Sequence, residues 1–85
     1  MIDIDLRREI RQFIIEVFAF GDESVLTSDD ASLLESHVLD STDVLELIVF
    51  LESRFGIKVE DEEVVPENFD AVNKLHAFAT RKLGG

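Results

Sequence analysis

The sequence predicts an all-α domain, a small antiparallel bundle of three long helices plus one short helix. Three observations predict it. Apolar residues recur at helical spacing in three separate stretches, each followed by glycine. Only Ile57 and Val59 alternate in a strand-like way, and a single isolated strand has nothing to pair with. A chain of 85 residues, 46% of them apolar, supports one core and no second one, so residues 1–85 are read as a single domain.

The first stretch runs from Asp5 to Phe20. It places Leu6, Ile10, Phe13, Ile14, Val17 and Phe18 on one helical face. Asp3 or Asp5 can cap its start, and Gly21 suits a left-handed end. Arg7, Arg8 and Arg11 fall mainly off this face and read as solvated surface.

From Gly21 to Asp40 the periodicity fails. Twenty residues make a long connection for so small a domain. Val25, Leu26, Leu33, Leu34, Val38 and Leu39 are spread through it, so the expectation is a loop pinned to the core.

The second helix spans Ser41 to Phe55, opened by Asp40, Ser41, Thr42 and Asp43, all suited to a helix start, and stopped by Gly56. Ile57 and Val59 then pin an extended segment, and Glu60 to Glu63 read as a solvated acidic turn. Pro66 can open a short helix. Asp70 is expected to cap the third long helix, which carries Val72, Leu75, Ala79 and Leu83 on one face and ends at Gly84-Gly85. Seven Phe with no Trp or Tyr read as core packing, although Phe50 falls on the flank opposite Leu45 and has no assigned place.

The second helix has more apolar surface than a core stripe needs. Val44, Leu47, Ile48, Leu51 and Phe55 cluster within about 100°. Leu45 and Val49 lie about 105° and about 145° from the centre of that cluster, and they continue a line that starts at Ser41. Asp40, Thr42, Asp43, Glu46 and Ser53 surround the line. Two readings are open: Ser41 is only a cap, with Leu45 and Val49 under the long loop, or the stripe is a docking surface with a point of attachment at its head.

Charge removes whole classes of function. The net charge is −11, with −13 within residues 22–70 and +3 within residues 71–85. This disfavours nucleic acid and anionic membranes and favours a positively charged protein partner. The longest apolar run, Leu47 to Leu51, is far short of the about 20 residues that span a bilayer. The N-terminus is acidic and lacks a signal-peptide pattern, so the chain reads as a cytoplasmic protein and, with no feature pointing to self-association, as a monomer. The absence of Cys removes thiolate chemistry of its own. Neither His37, His76 nor the Glu60–Glu63 run has metal-ligand spacing, so no metal is expected.

The segment from Val38 to Phe69 resembles the signature of the acyl carrier protein family, which includes stand-alone peptidyl and aminoacyl carriers. The residues that carry the likeness are Asp40-Ser41, Glu46-Leu47, Leu51-Glu52, Phe55, Ile57 and Val59, preceded by Asp29 to Glu35. The resemblance implies a four-helix carrier that is not an enzyme. On such a carrier Ser41 receives 4′-phosphopantetheine from coenzyme A, and the arm's thiol holds an acyl or aminoacyl group as a thioester. Its implied partners are a phosphopantetheinyl transferase, a loading ligase and downstream enzymes with basic docking patches. By position, Asp40, Asp43 and Glu46 would supply charge to that docking, and Leu45 and Val49 the apolar contact, with Thr42 beside the arm.

An anion added at Ser41 is expected to lie beside free N–H groups of the helix start. Two positions depart from the family pattern. His37 stands about where the family has Gly, which tolerates positive φ better. Thr42 stands where fatty-acid carriers commonly have Leu or Met, which points toward an amino acid or a specialised acyl chain. Two alternatives accompany this reading. One is a non-covalent acidic helical adaptor or inhibitor, indifferent to Ser41→Ala. The other is a ubiquitin-like modifier using Gly84-Gly85, which needs several strands.

Overall fold

The structure is a computed structural model that describes residues 3–26 and 28–84. Its elements are α1 (Asp3–Phe18), α2 (Asp43–Phe55), the single-turn α3 (Pro66–Phe69) and α4 (Val72–Lys82). Two 3-10 turns, Glu23–Val25 and Asp61–Glu63, lie in the connections. The described residues contain no strand, as the periodicity predicts, and this removes the ubiquitin-like alternative. No described helix is long and apolar enough to cross a membrane. The expected cap by Asp3 or Asp5 lies outside the described side chains.

Helix α1 presents three faces rather than one. Leu6, Ile10 and Ile14 enter the common core with Leu47 and Leu51 of α2 and Val72, Leu75, Phe78 and Ala79 of α4. Truncating one of the fully buried leucines to Ala costs about 2–5 kcal/mol. A second face packs on α2: Phe13 stacks on Phe50 with ring centroids 3.9 Å apart, and Glu9 pairs with Arg54. This places Phe50, and it sets α1 antiparallel to α2. A third face, through Arg11, Ile15 and Ala19, lies under the long loop. Ile15 is buried, whereas Val17 is exposed, so the buried surface is displaced from the expected face toward the loop.

The long connection is pinned by Leu26, Leu33, Val38 and Leu39, all buried, whereas Val25 and Leu34, expected to pin it too, are exposed. Polar contacts add to this. Arg11 is not merely solvated surface, since its guanidinium donates to the Asp29 carboxylate and to the Leu26 carbonyl, each at 2.7 Å. Asn73 donates through its backbone N–H to the Asp29 carbonyl and through its side chain to Asp30.

Asp70 does not cap α4. Its carboxylate accepts the Ser32 hydroxyl at 2.7 Å and the Leu34 N–H at 2.9 Å, and its carbonyl accepts the Leu33 N–H. The side chain is turned toward the loop because α3 has only just ended, and Ala71 takes the position before α4 with no side-chain cap. Asp70 thus joins the loop to the junction of α3 and α4.

Gly56 ends α2 in the left-handed region (φ 69°), and Ile57 is buried. Val59 is held by its N–H donating to Glu52 at 3.0 Å, so the extended segment is fixed without a strand partner. The acidic turn that follows is tied down more than expected. Glu63 accepts the Glu60 N–H at 2.9 Å and pairs with Lys82 at 2.9 Å. These contacts, the backbone one first, hold the Glu63 carboxyl below its ordinary range.

Candidate functional site at the start of helix α2

The turn before α2 is built by two aspartates. Asp40 Oδ1 accepts the N–H groups of Thr42 and Asp43, each at 2.9 Å. Asp43 Oδ2 returns the contact to the Asp40 N–H at 3.1 Å. The reciprocal pattern is a capping box with aspartate in both places. The regular helix nevertheless begins at Asp43, after Thr42, whose own side chain makes no cap bond, and Ser41 and Thr42 form the turn that leads in. Asp40 therefore makes the cap, and the exposed Ser41 stands outside it.

The expectation of free N–H groups beside Ser41 is narrowed by the Asp40 contacts. Two of the N–H groups at this helix start, those of Thr42 and Asp43, already donate to Asp40. A group added to Ser41 would feel the positive end of the helix dipole but would not be clamped by those donors.

Along α2 from Ser41, Leu45 is 66% exposed and Val49 is 60% exposed. The long loop does not cover them, so the reading in which it does is overturned. Thr42 and Glu46 are exposed on the same turn of chain, as is Asp40, and Asp43 is half-buried by its part in the cap. The residues singled out from the sequence thus share the start and one flank of α2.

Ser41 also borders an apolar cleft of about 220 Å³. Its walls come from three places: Leu34 and Leu39 of the loop, Val44 of α2, and Val65, Pro66 and Phe69 at α3. Sequence reasoning missed this cleft, and the one signal for it was the Val64-Val65-Pro66 run inside an otherwise acidic stretch. An exposed hydroxyl beside such a cleft fits a covalently attached arm with an apolar portion. Just upstream, His37 holds φ at 62°, in the region where the family's Gly is tolerated and a side chain is strained. No group of three or more metal-ligating side chains occurs among the described residues.

No family model matches the chain. Similar curated proteins are nonetheless consistent in name. D-alanyl carrier proteins of Streptococcus thermophilus, Streptococcus suis and Streptococcus sanguinis are 38%, 40% and 36% identical over 72 residues, spanning 85% of this chain and 87% of each relative. The chain belongs to the acyl carrier protein family. The all-helical bundle agrees with this membership.

Proposed function

We propose that this carrier protein bears 4′-phosphopantetheine on Ser41 and presents an aminoacyl group, D-alanyl by likeness to its named relatives, as a thioester on that arm. The observation that carries the proposal is that Asp40 caps α2 and leaves the Ser41 hydroxyl exposed at the head of the Leu45–Val49 stripe. In the transfer, the Ser41 oxygen attacks the phosphoryl group of coenzyme A that carries pantetheine. The new P–O bond replaces the pyrophosphate bond, 3′,5′-ADP leaves, and the hydroxyl proton passes to a base of the transferase. The chain is a substrate in this step and not its catalyst.

The cleft supports a small polar load. A D-alanyl group carries an ammonium, and burying that charge among Leu34, Leu39, Val44, Val65 and Phe69 is costly. The load therefore stays in solvent, reachable by the next enzyme, while only apolar parts of the arm can enter. The Thr42 and Asp43 N–H groups, already used by Asp40, do not hold the phosphate of the arm. Asp40, Asp43 and Glu46 give the docking face its charge, and Leu45 and Val49 give it apolar contact. Such a face speeds encounter with basic partners, the transferase and the loading ligase first, without tight binding.

The test loads the arm-bearing protein with D-alanine and ATP, using the ligase that charges a D-alanyl carrier. The expected result is one D-alanyl group per chain, released by hydroxylamine and absent from Ser41→Ala. A load that survives Ser41→Ala puts the attachment elsewhere and contradicts the proposal, and a wild type that takes up neither arm nor load leaves a non-covalent adaptor as the reading.

A further inference from the structure

Phe20 is held at odds with both its solvent and its backbone. Helix α1 closes when Ile15 O accepts the N–H groups of Ala19 at 3.1 Å and Gly21 at 2.9 Å. Between them Phe20 takes φ 54°, and Gly21 follows at 84°. The expected left-handed end is thus shared, and its first residue is a phenylalanine. A left-handed conformation costs a side-chain-bearing residue about 1–2 kcal/mol relative to glycine. The ring gains no burial in return, being 93% exposed. A large apolar side chain that is both strained and solvated contributes nothing evident to the fold, and strain of this kind collects at functional positions.

The surroundings indicate what covers it. The pairs Glu9–Arg54 and Phe13–Phe50 set α1 antiparallel to α2, so Phe20 lies at the end of the bundle where α2 begins, with Ser41. Between Gln12 and Ser53 the chain has no Lys or Arg, while Glu16, Asp22, Glu23, Asp29, Asp30, Glu35, Asp40, Asp43, Glu46 and Glu52 all fall there. Asp22 stays ionised well into acid, because the Ser24 hydroxyl and then the Ser24 N–H donate to it. A recess of about 350 Å³ beside Gly21 is bordered by Glu16 and Glu23, and of its two arginines Arg11 is already paired with Asp29. This charge opposes a second copy of the chain and suits a partner with a basic rim.

We infer that Phe20 is a second docking anchor, inserted into an apolar socket with a Lys- or Arg-rich rim on the enzymes that act at Ser41. The inference rests on the proposed role of Ser41. Docking then spans two elements, the end of α1 and the flank of α2, and it fixes the orientation of the carrier as well as its position.

The test measures transferase-catalysed arm transfer from coenzyme A to the intact chain, comparing wild type with Phe20→Ser and Phe20→Gly. Loss of one aromatic anchor raises KM for the carrier roughly tenfold with kcat unchanged. Neither variant lowers the melting temperature, since the ring is solvated and glycine relieves the backbone. Equal KM for all three, within about twofold, overturns the inference while leaving Ser41 as the attachment point. If the wild type accepts no arm at all, the underlying reading fails and this inference goes with it. Sedimentation showing a wild-type dimer that Phe20→Ser dissolves also overturns it, by naming a second copy as the occupant.

Discussion

Asp40 and Asp43 cap each other across Ser41, each carboxylate accepting the other's backbone N–H. This exchange does two things at once. It satisfies donors that a helix start otherwise leaves orphaned, and it relieves Ser41 of the capping role that its position suggests. Asp40→Ala is expected to lower unfolding stability by about 1 kcal/mol, read from urea midpoints. Asp40→Asn keeps the acceptor and stays near wild type in stability. It loses the charge, so KM for arm transfer rises in Asn as well as in Ala. Equal stability of Ala and wild type would show that the exchange is not holding the turn.

His37 offers a gain. Its φ of 62° suits glycine, and the side chain is exposed, so nothing packed is lost on removing it. His37→Gly is expected to stabilise the fold by about 1 kcal/mol. For a domain of this size that raises the melting temperature by roughly 4–8 °C. His37→Val, with a branched side chain in the same region, is expected to move it the other way.

Asp70 is predicted to hold the long loop rather than a helix. Asp70→Ala removes acceptors from Ser32 and Leu34 and is expected to cost about 2 kcal/mol. Hydrogen exchange locates the damage: the Leu34 amide loses protection first, while amides in the middle of α2 keep theirs down to the new global stability. Uniform loss across the chain would contradict a local latch.

Acid is expected to remove the contribution of Glu63. Its carboxyl titrates below the ordinary range when folded, because the Glu60 N–H and then the Lys82 ammonium favour the anion. A group depressed in this way stabilises the fold above its unfolded pKa, and the effect is lost as pH falls through the folded value. The melting-temperature difference between wild type and Glu63→Gln is therefore largest at neutral pH. It closes as the solution is taken below the usual carboxylate range, about pH 4. Comparing the two proteins cancels the general effect of neutralising the other carboxylates.

What could be read from the sequence was local. Helical spacing, Gly56 as a stop, Pro66 as a start and four of the six apolar residues of the loop each depend on near neighbours, and each is found in the structure. Ser41 stood out because several linked positions agree around it. What could not be read depends on distant partners. Asp70 finds Ser32 across 38 residues, and Phe50 finds its place only once α1 supplies Phe13. The cleft beside Ser41 has the same origin, since its three walls meet only after the loop is latched. Phe20 was expected to lie in the core with the other phenylalanines, because periodicity does not reveal that the helix would close around it one residue before the glycine.

The central claim is that Ser41 carries the arm, and intact mass measures it most directly. The protein is incubated with coenzyme A, Mg²⁺ and a broad-specificity phosphopantetheinyl transferase, then weighed alongside Ser41→Ala treated identically. The account predicts a gain of one phosphopantetheine group on the wild type and no gain on the variant. No gain on the wild type, or the same gain on Ser41→Ala, would contradict it.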